Sequence, residues 1–123
     1  TALHYAARYG QLTVVKYLLS LKDANNNPLV DVNRSDNYGH AALHYAAMYN
    51  QLAVVECLVS LKDANNNPLV DVNRGDNYGW TALQLAASNG QLAVVKYLVS
   101  LVSGAPKARK NGEAYIRNNF SLN

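Results

Sequence analysis

Apolar residues recur along this chain with helical spacing, broken at regular intervals by polar stretches. Leu3, Ala6 and Ala7 fall on one face of a helix over residues 1–9, with Thr1 placed to cap its start. Beyond Gly10, residues Leu12, Val15, Leu18 and Leu19 share a face while Lys16 and Ser20 point elsewhere, which predicts a second helix over 12–22. So short a link forces the pair to pack antiparallel. Gly10 corresponds to Asn50 and Gly90, the two residue types that accept a left-handed helix end. The polar run that follows, Asp23 to Val30, holds three consecutive asparagines and Pro28, and predicts a turn leading into a short extended piece. Asp36-Asn37-Tyr38-Gly39 then has the Asp-x-x-Gly form of a tight turn.

This pattern repeats. Residues 41–80 differ from 1–40 at nine positions, and 81–100 differ from 41–60 at eight. A fixed period of this size marks a repeat architecture. The units run 1–40, 41–80 and 81–103, and 104–123 is read as a degenerate closing half-repeat with a helix from about Glu113. With no turn segment before Thr1 and no opening cap, the chain reads as cut from a longer array.

The string Asp-Asn-Tyr-Gly-x-Thr-Ala-Leu-His-Tyr-Ala-Ala, followed by a second helix and Asp-Val-Asn, resembles the ankyrin repeat over residues 1–103. The resemblance implies an all-α repeat solenoid: a stack of antiparallel helix pairs with β-turn fingers. It also implies a concave surface of inner helices and fingers that grips another protein. The chain departs from the family pattern at Ala2, Ala42 and Ala82, which stand where proline is usual, at Ala41 in place of a capping Thr, and at Gln84 in place of His. Seven residues more than in a 33-residue unit precede Asp31 and Asp71. The stretch 21–34 is identical to 61–74, and Leu29 with Leu69 and Val30 with Val70 are expected to pack side by side.

Charge adds little. Residues 1–103 hold seven basic and seven acidic side chains, so the net charge of +3 comes from Lys107, Arg109, Lys110 and Arg117 against Glu113. That is no stripe for nucleic acid, which needs several phosphate contacts, and no specific nucleic-acid partner is expected. No apolar run reaches the roughly 20 residues that span a bilayer, so no membrane partner is expected either. Cys57 stands alone, in an apolar position shared with Tyr17 and Tyr97, and fits a cytoplasmic chain without disulfides.

The candidate chemistry thins on inspection. His4 and His44 lack a Cys or carboxylate to complete a metal site, and the resemblance implies that their rings tie down the neighbouring finger. His40 lies before the helix that holds His44, so the two are not expected to share a face. The Asp23 and Asp63 loops open like calcium loops but carry Pro28 and Arg34, or Pro68 and Arg74, where Gly and Glu are required. No nucleophile–base pair or phosphate loop can be assembled, so the chain is read as a non-enzyme with no metal and no cofactor.

The aromatic residues carry more. Tyr5, Tyr45, Tyr17 and Tyr97 are expected between helices. Tyr38, Tyr78, His40 and Trp80 lie in fingers without a core to bury them, and the resemblance places Arg8, Tyr9, Met48, Tyr49, Ser88 and Asn89 on the groove side of the inner helices. Between units the helix-face residues Leu3, Ala6, Ala7, Leu12, Val15 and Leu18 recur unchanged, whereas the groove positions change. These features point to a protein–protein interaction module with a protein partner, monomeric or stacking end to end. The alternative is a structural spacer within a larger ankyrin protein.

Overall fold

The computed structural model describes residues 1–103. Six helices form three hairpins: α1 (Ala2–Arg8) with α2 (Leu12–Ser20), α3 (Ala42–Met48) with α4 (Leu52–Val59), and α5 (Ala82–Ser88) with α6 (Leu92–Ser103). The inner helices stack in the order α1, α3, α5, and the outer helices in the order α2, α4, α6. One core runs through the stack, built on Leu3, Ala7, Val15, Leu43, Ala47, Val55, Leu58, Leu83, Ala86, Val94 and Leu98. The alanines let inner helices approach closely. Ala7 and Ala47 are fully buried, whereas Ala87, with no described unit over it, is exposed. The expected half-repeat over 104–123 lies outside the described residues.

Each inner helix ends on a left-handed residue, with φ of 69° at Gly10, 61° at Asn50 and 69° at Gly90. That residue turns the chain so that Gln11 N–H can reach the Ala6 carbonyl at 2.9 Å. At the starts of α1 and α5, the hydroxyls of Thr1 and Thr81 accept from the amides of His4 and Gln84. Ala41 offers no such oxygen, and only the reciprocal bond remains there, from Ala41 N–H to His44 Nδ1 at 2.9 Å.

The outer helix α2 stops at Ser20 and not at Lys22, because the polar insert competes for the backbone. Asp23 Oδ1 accepts from the amides of Asn25 and Asn27 at 2.8 and 2.9 Å, and Asn26 takes φ 67°. Leu29 N–H then bonds back to the Leu21 carbonyl at 3.0 Å, so the insert is a small hairpin. Asp63 repeats this geometry. Leu29 and Leu69 are both exposed, while Val70 is buried and Val30 packs against the core. Polar bonds join the inserts: Asn33 Nδ2 donates to the Leu69 carbonyl at 2.8 Å, and the Arg74 guanidinium donates to the Asn33 carbonyl.

Candidate functional site: the inner-helix and finger face

The fingers are built by aspartates. Asp36 Oδ1 accepts from Tyr38 N–H at 2.9 Å and His40 N–H at 3.0 Å, and Gly39, at φ 80°, donates to the Asp36 carbonyl. Asp76 does the same for Tyr78 and Trp80. The second finger lies on the first: Asn77 donates its backbone N–H to Tyr38 O at 3.1 Å and its side-chain amide to Asn37 O at 2.8 Å. A Cβ on Gly39 would meet Asn77, so close stacking as well as the turn requires glycine there.

The second carboxylate oxygen of each aspartate reaches a ring. Tyr45 hydroxyl donates to Asp36, and His40 Nε2 donates to Asp76 Oδ2 at 3.0 Å. Burial raises the Asp36 pKa, but the bonds from Tyr45 and the finger amides outweigh it and leave the carboxyl below its usual value. Asp76 is likewise raised by burial and lowered on balance by the Trp80 and Tyr78 amides and His40. Tyr45 is pushed up to about 12, by burial first and then by the carboxylate it faces. It remains a neutral donor throughout the physiological range.

His4 and His44 tie helix to loop. His44 Nδ1 accepts from Ala41 N–H, so Nε2 carries the proton and donates to the Arg74 carbonyl at 2.9 Å. His4 Nε2 donates to the Arg34 carbonyl at 2.8 Å. Gln84 keeps half of this role, its Oε1 accepting from Thr81 N–H at 2.9 Å. His40 lies before α3, as expected, yet its ring centre comes within 5.7 Å of that of His44. Among the described residues no group of three metal-binding side chains forms.

The groove residues fall into three clusters. Arg8 is half-buried, its guanidinium 4.6 Å from the Tyr49 ring centre and 5.4 Å from that of Tyr9. Tyr38 packs near His40, and an open cleft of about 370 Å³ is lined by Tyr5, Arg8, Asp36, Tyr38 and Tyr45. Trp80, Tyr78 and Ser88 border an opening of about 810 Å³ with Leu83, Ala87 and Val95 at the end of the described stack, where the equivalent Leu43, Ala47 and Val55 are buried under the next unit. Tyr38 and Tyr78 are 65% and 83% exposed, Trp80 43%, and Tyr9 and Tyr49 are exposed too. Met48 is half-buried, and Ser88 and Asn89 are exposed, Asn89 bonding back to Leu85 O at 2.8 Å. Of the four finger residues expected to be exposed, His40 is the one largely withdrawn, held by Asp76 and by the edge of Tyr45.

Tyr5 departs from expectation: it is exposed and lines the cleft beside the finger, while Tyr45 meets the His4 ring of the neighbouring inner helix at 5.7 Å and also bonds Asp36. Tyr17 is also exposed, while Tyr97 packs partly against the core. The outer face between them is loose because Cys57 is small, leaving a cleft of about 490 Å³ lined by Leu12, Lys16, Cys57 and Tyr97. Tyr5 therefore joins the groove. Its signal in the sequence is its place next to His4, one step around the helix toward the finger.

A family model described as ankyrin repeats, in three copies, matches residues 1–70 and again 29–111. The chain belongs to the ankyrin-repeat family. Ankyrin repeats are generally protein–protein interaction modules, and the family is typically non-enzymatic. Comparison with curated proteins found no match. Among the described residues of this ankyrin protein no helix is long and apolar enough to cross a membrane.

Proposed function

We propose that this chain binds a partner protein through the face formed by α1, α3, α5 and the fingers at 36–39 and 76–79. The observation that carries the reading is the concentration of exposed Tyr5, Tyr9, Tyr38, Tyr49, Tyr78 and Trp80 on that face. Large exposed aromatics cost solubility unless something covers them, and Tyr, Trp and Arg supply most of the energy of protein interfaces. They are held by fingers that are already bonded to one another, so little order has to be created on binding. The setting that fits a single unpaired cysteine is the cytoplasm.

The test replaces Tyr49 and Trp80 together by alanine. Partner capture is expected to be lost while far-UV circular dichroism is unchanged, and Tyr17→Ala, an exposed tyrosine on the outer face, is expected to bind normally. Capture at wild-type strength by the double variant refutes the reading and leaves the chain a spacer.

A further inference from the structure

The groove holds carboxylates and a cation, but only the carboxylates have partners. Asp36 accepts from Tyr38 N–H, His40 N–H and the Tyr45 hydroxyl, and Asp76 accepts from Tyr78 N–H, Trp80 N–H and His40 Nε2. Their acceptor capacity is largely committed inside the fold. Arg8 is the opposite case. Its guanidinium makes no ion pair among the described residues, and its Nε is buried without a hydrogen-bond partner. The guanidinium stacks over the rings of Tyr49 and Tyr9. Aromatic faces position a guanidinium and keep water from its flat sides, but they leave its in-plane N–H donors unused.

The equivalent positions of the next two inner helices carry Met48 and Ser88. The face is therefore polarised: a cation with open donors at α1, a thioether at α3, and the exposed Trp80 ring beside α5. Helices in contact lie roughly 8–10 Å apart, so α1 and α5 are separated by about 16–20 Å, which an extended peptide covers in about five or six residues.

Taking the groove reading above as its basis, we propose that Arg8 is the anion-recognising residue of the binding face and that its occupant is a partner segment bearing an Asp or Glu side chain. The planar fork of donors matches a carboxylate in two parallel bonds, and the same segment lays an apolar residue toward Trp80. The complementarity lies in the open donors: the finger carboxylates stay ionised but their oxygens are taken up by their own donors, whereas the Arg8 fork faces the cleft without an acceptor among the described residues. The segment 104–123 of this chain, with four basic residues against one acidic, has the wrong sign for the site.

The experiment selects peptides from a randomised display library on the full chain, then measures synthetic versions by fluorescence polarisation. Arg8→Met is the main variant, because methionine is what α3 carries at the same position, and Arg8→Gln is a second; equal urea midpoints confirm that both fold. Selected peptides are expected to share an acidic residue. Changing it to its amide weakens binding by about tenfold or more, Arg8→Met does the same, and the two losses do not add. Peptides that need Tyr49 and Trp80, yet lack an acidic residue or bind Arg8→Met unchanged, overturn this inference and leave the groove reading standing. If no selected peptide is affected by Tyr49→Ala or Trp80→Ala, the groove reading falls and this inference falls with it.

Discussion

Replacing His44 by alanine and by glutamine dissects the tie between helix and loop. In the folded chain its ring joins two backbone groups, the Ala41 amide and the Arg74 carbonyl, and the ring itself is buried. Alanine leaves both groups without a partner, at about 1–3 kcal/mol each, and adds the loss of the packed ring. The expected cost is roughly 3–5 kcal/mol, a large part of the 5–15 kcal/mol typical of a whole domain. Glutamine should recover about half of this, because Gln84 shows the acceptor half of the role performed in place, at 2.9 Å from Thr81 N–H.

The pH dependence then separates the neutral ring from a charged one. Burial, above all, holds the His44 pKa below its usual value; the bond to Arg74 O opposes this, the nearby His40 and Arg74 charges lower it further, and Asp76 raises it. The unfolded chain therefore takes up a proton near pH 6.5, as ordinary histidine does, before the folded chain does. Stability from this residue is complete above that pH and is lost as the pH falls below it, with a limiting slope of about 1.4 kcal/mol per pH unit. Urea unfolding followed by circular dichroism at pH 7.5 and 5.0 should show wild type losing its lead over His44→Gln at the lower pH. A lead that stays constant or grows on acidification refutes the neutral, doubly bonded ring. So does a glutamine variant as unstable as alanine at pH 7.5.

Two further predictions concern the frame. Ala41→Thr supplies the hydroxyl that caps α1 and α5, and is expected to raise the urea midpoint by an amount equivalent to about 1 kcal/mol; an unchanged or lower midpoint means that the buried site cannot take the extra atoms. Gly10→Ala should cost more than Gly90→Ala, although both have φ 69°, because a Cβ at Gly10 would meet the Gln51 side chain while Gly90 faces open space. Gln51 would have to give up its bond to Arg8 O, so equal urea midpoints for the two variants would show that this bond contributes nothing.

What could be read in the sequence was whatever a local rule controls. Gly10, Asn50 and Gly90 announced a left-handed helix end, and Asp36 with Gly39 announced the finger turn, because each depends on a few neighbouring residues. The end of α2 was not legible for a related reason. The runs ending α2 and α6 are nearly the same up to Ser20 and Ser100, and Leu21 and Lys22 are good helix formers. What differs is Asp23, whose carboxylate captures the Asn25 and Asn27 amides and stops α2, whereas α6 meets no such acceptor and continues to Ser103. The direction of Tyr45 and the pairing of His40 with Asp76 were hidden more deeply. They join residues 9 and 36 positions apart, and follow from the spacing of one finger over the next.

The two halves of the 40-residue unit therefore have different tasks. The loop half, identical in its two copies from 21–34 and 61–74, fastens helix to loop and unit to unit: His4 and His44 each bond a carbonyl 30 residues on in their own unit, and Asn33 bonds the next insert. A side chain committed to such bonds cannot change freely; where His4 and His44 give way to Gln84, the bond from the Thr81 amide is kept. Among the described residues the side chains of Arg8, Met48 and Ser88 carry no such hydrogen bond to another unit and differ, while Gln11, Gln51 and Gln91 do not. Gln51 and Gln91 show why, since each donates to the carbonyl of the groove residue before it, Arg8 or Met48, through a backbone atom that any side chain would supply. The frame thus grips the groove positions by their main chain and leaves their side chains free to differ. This arrangement suits the recognition surface proposed above.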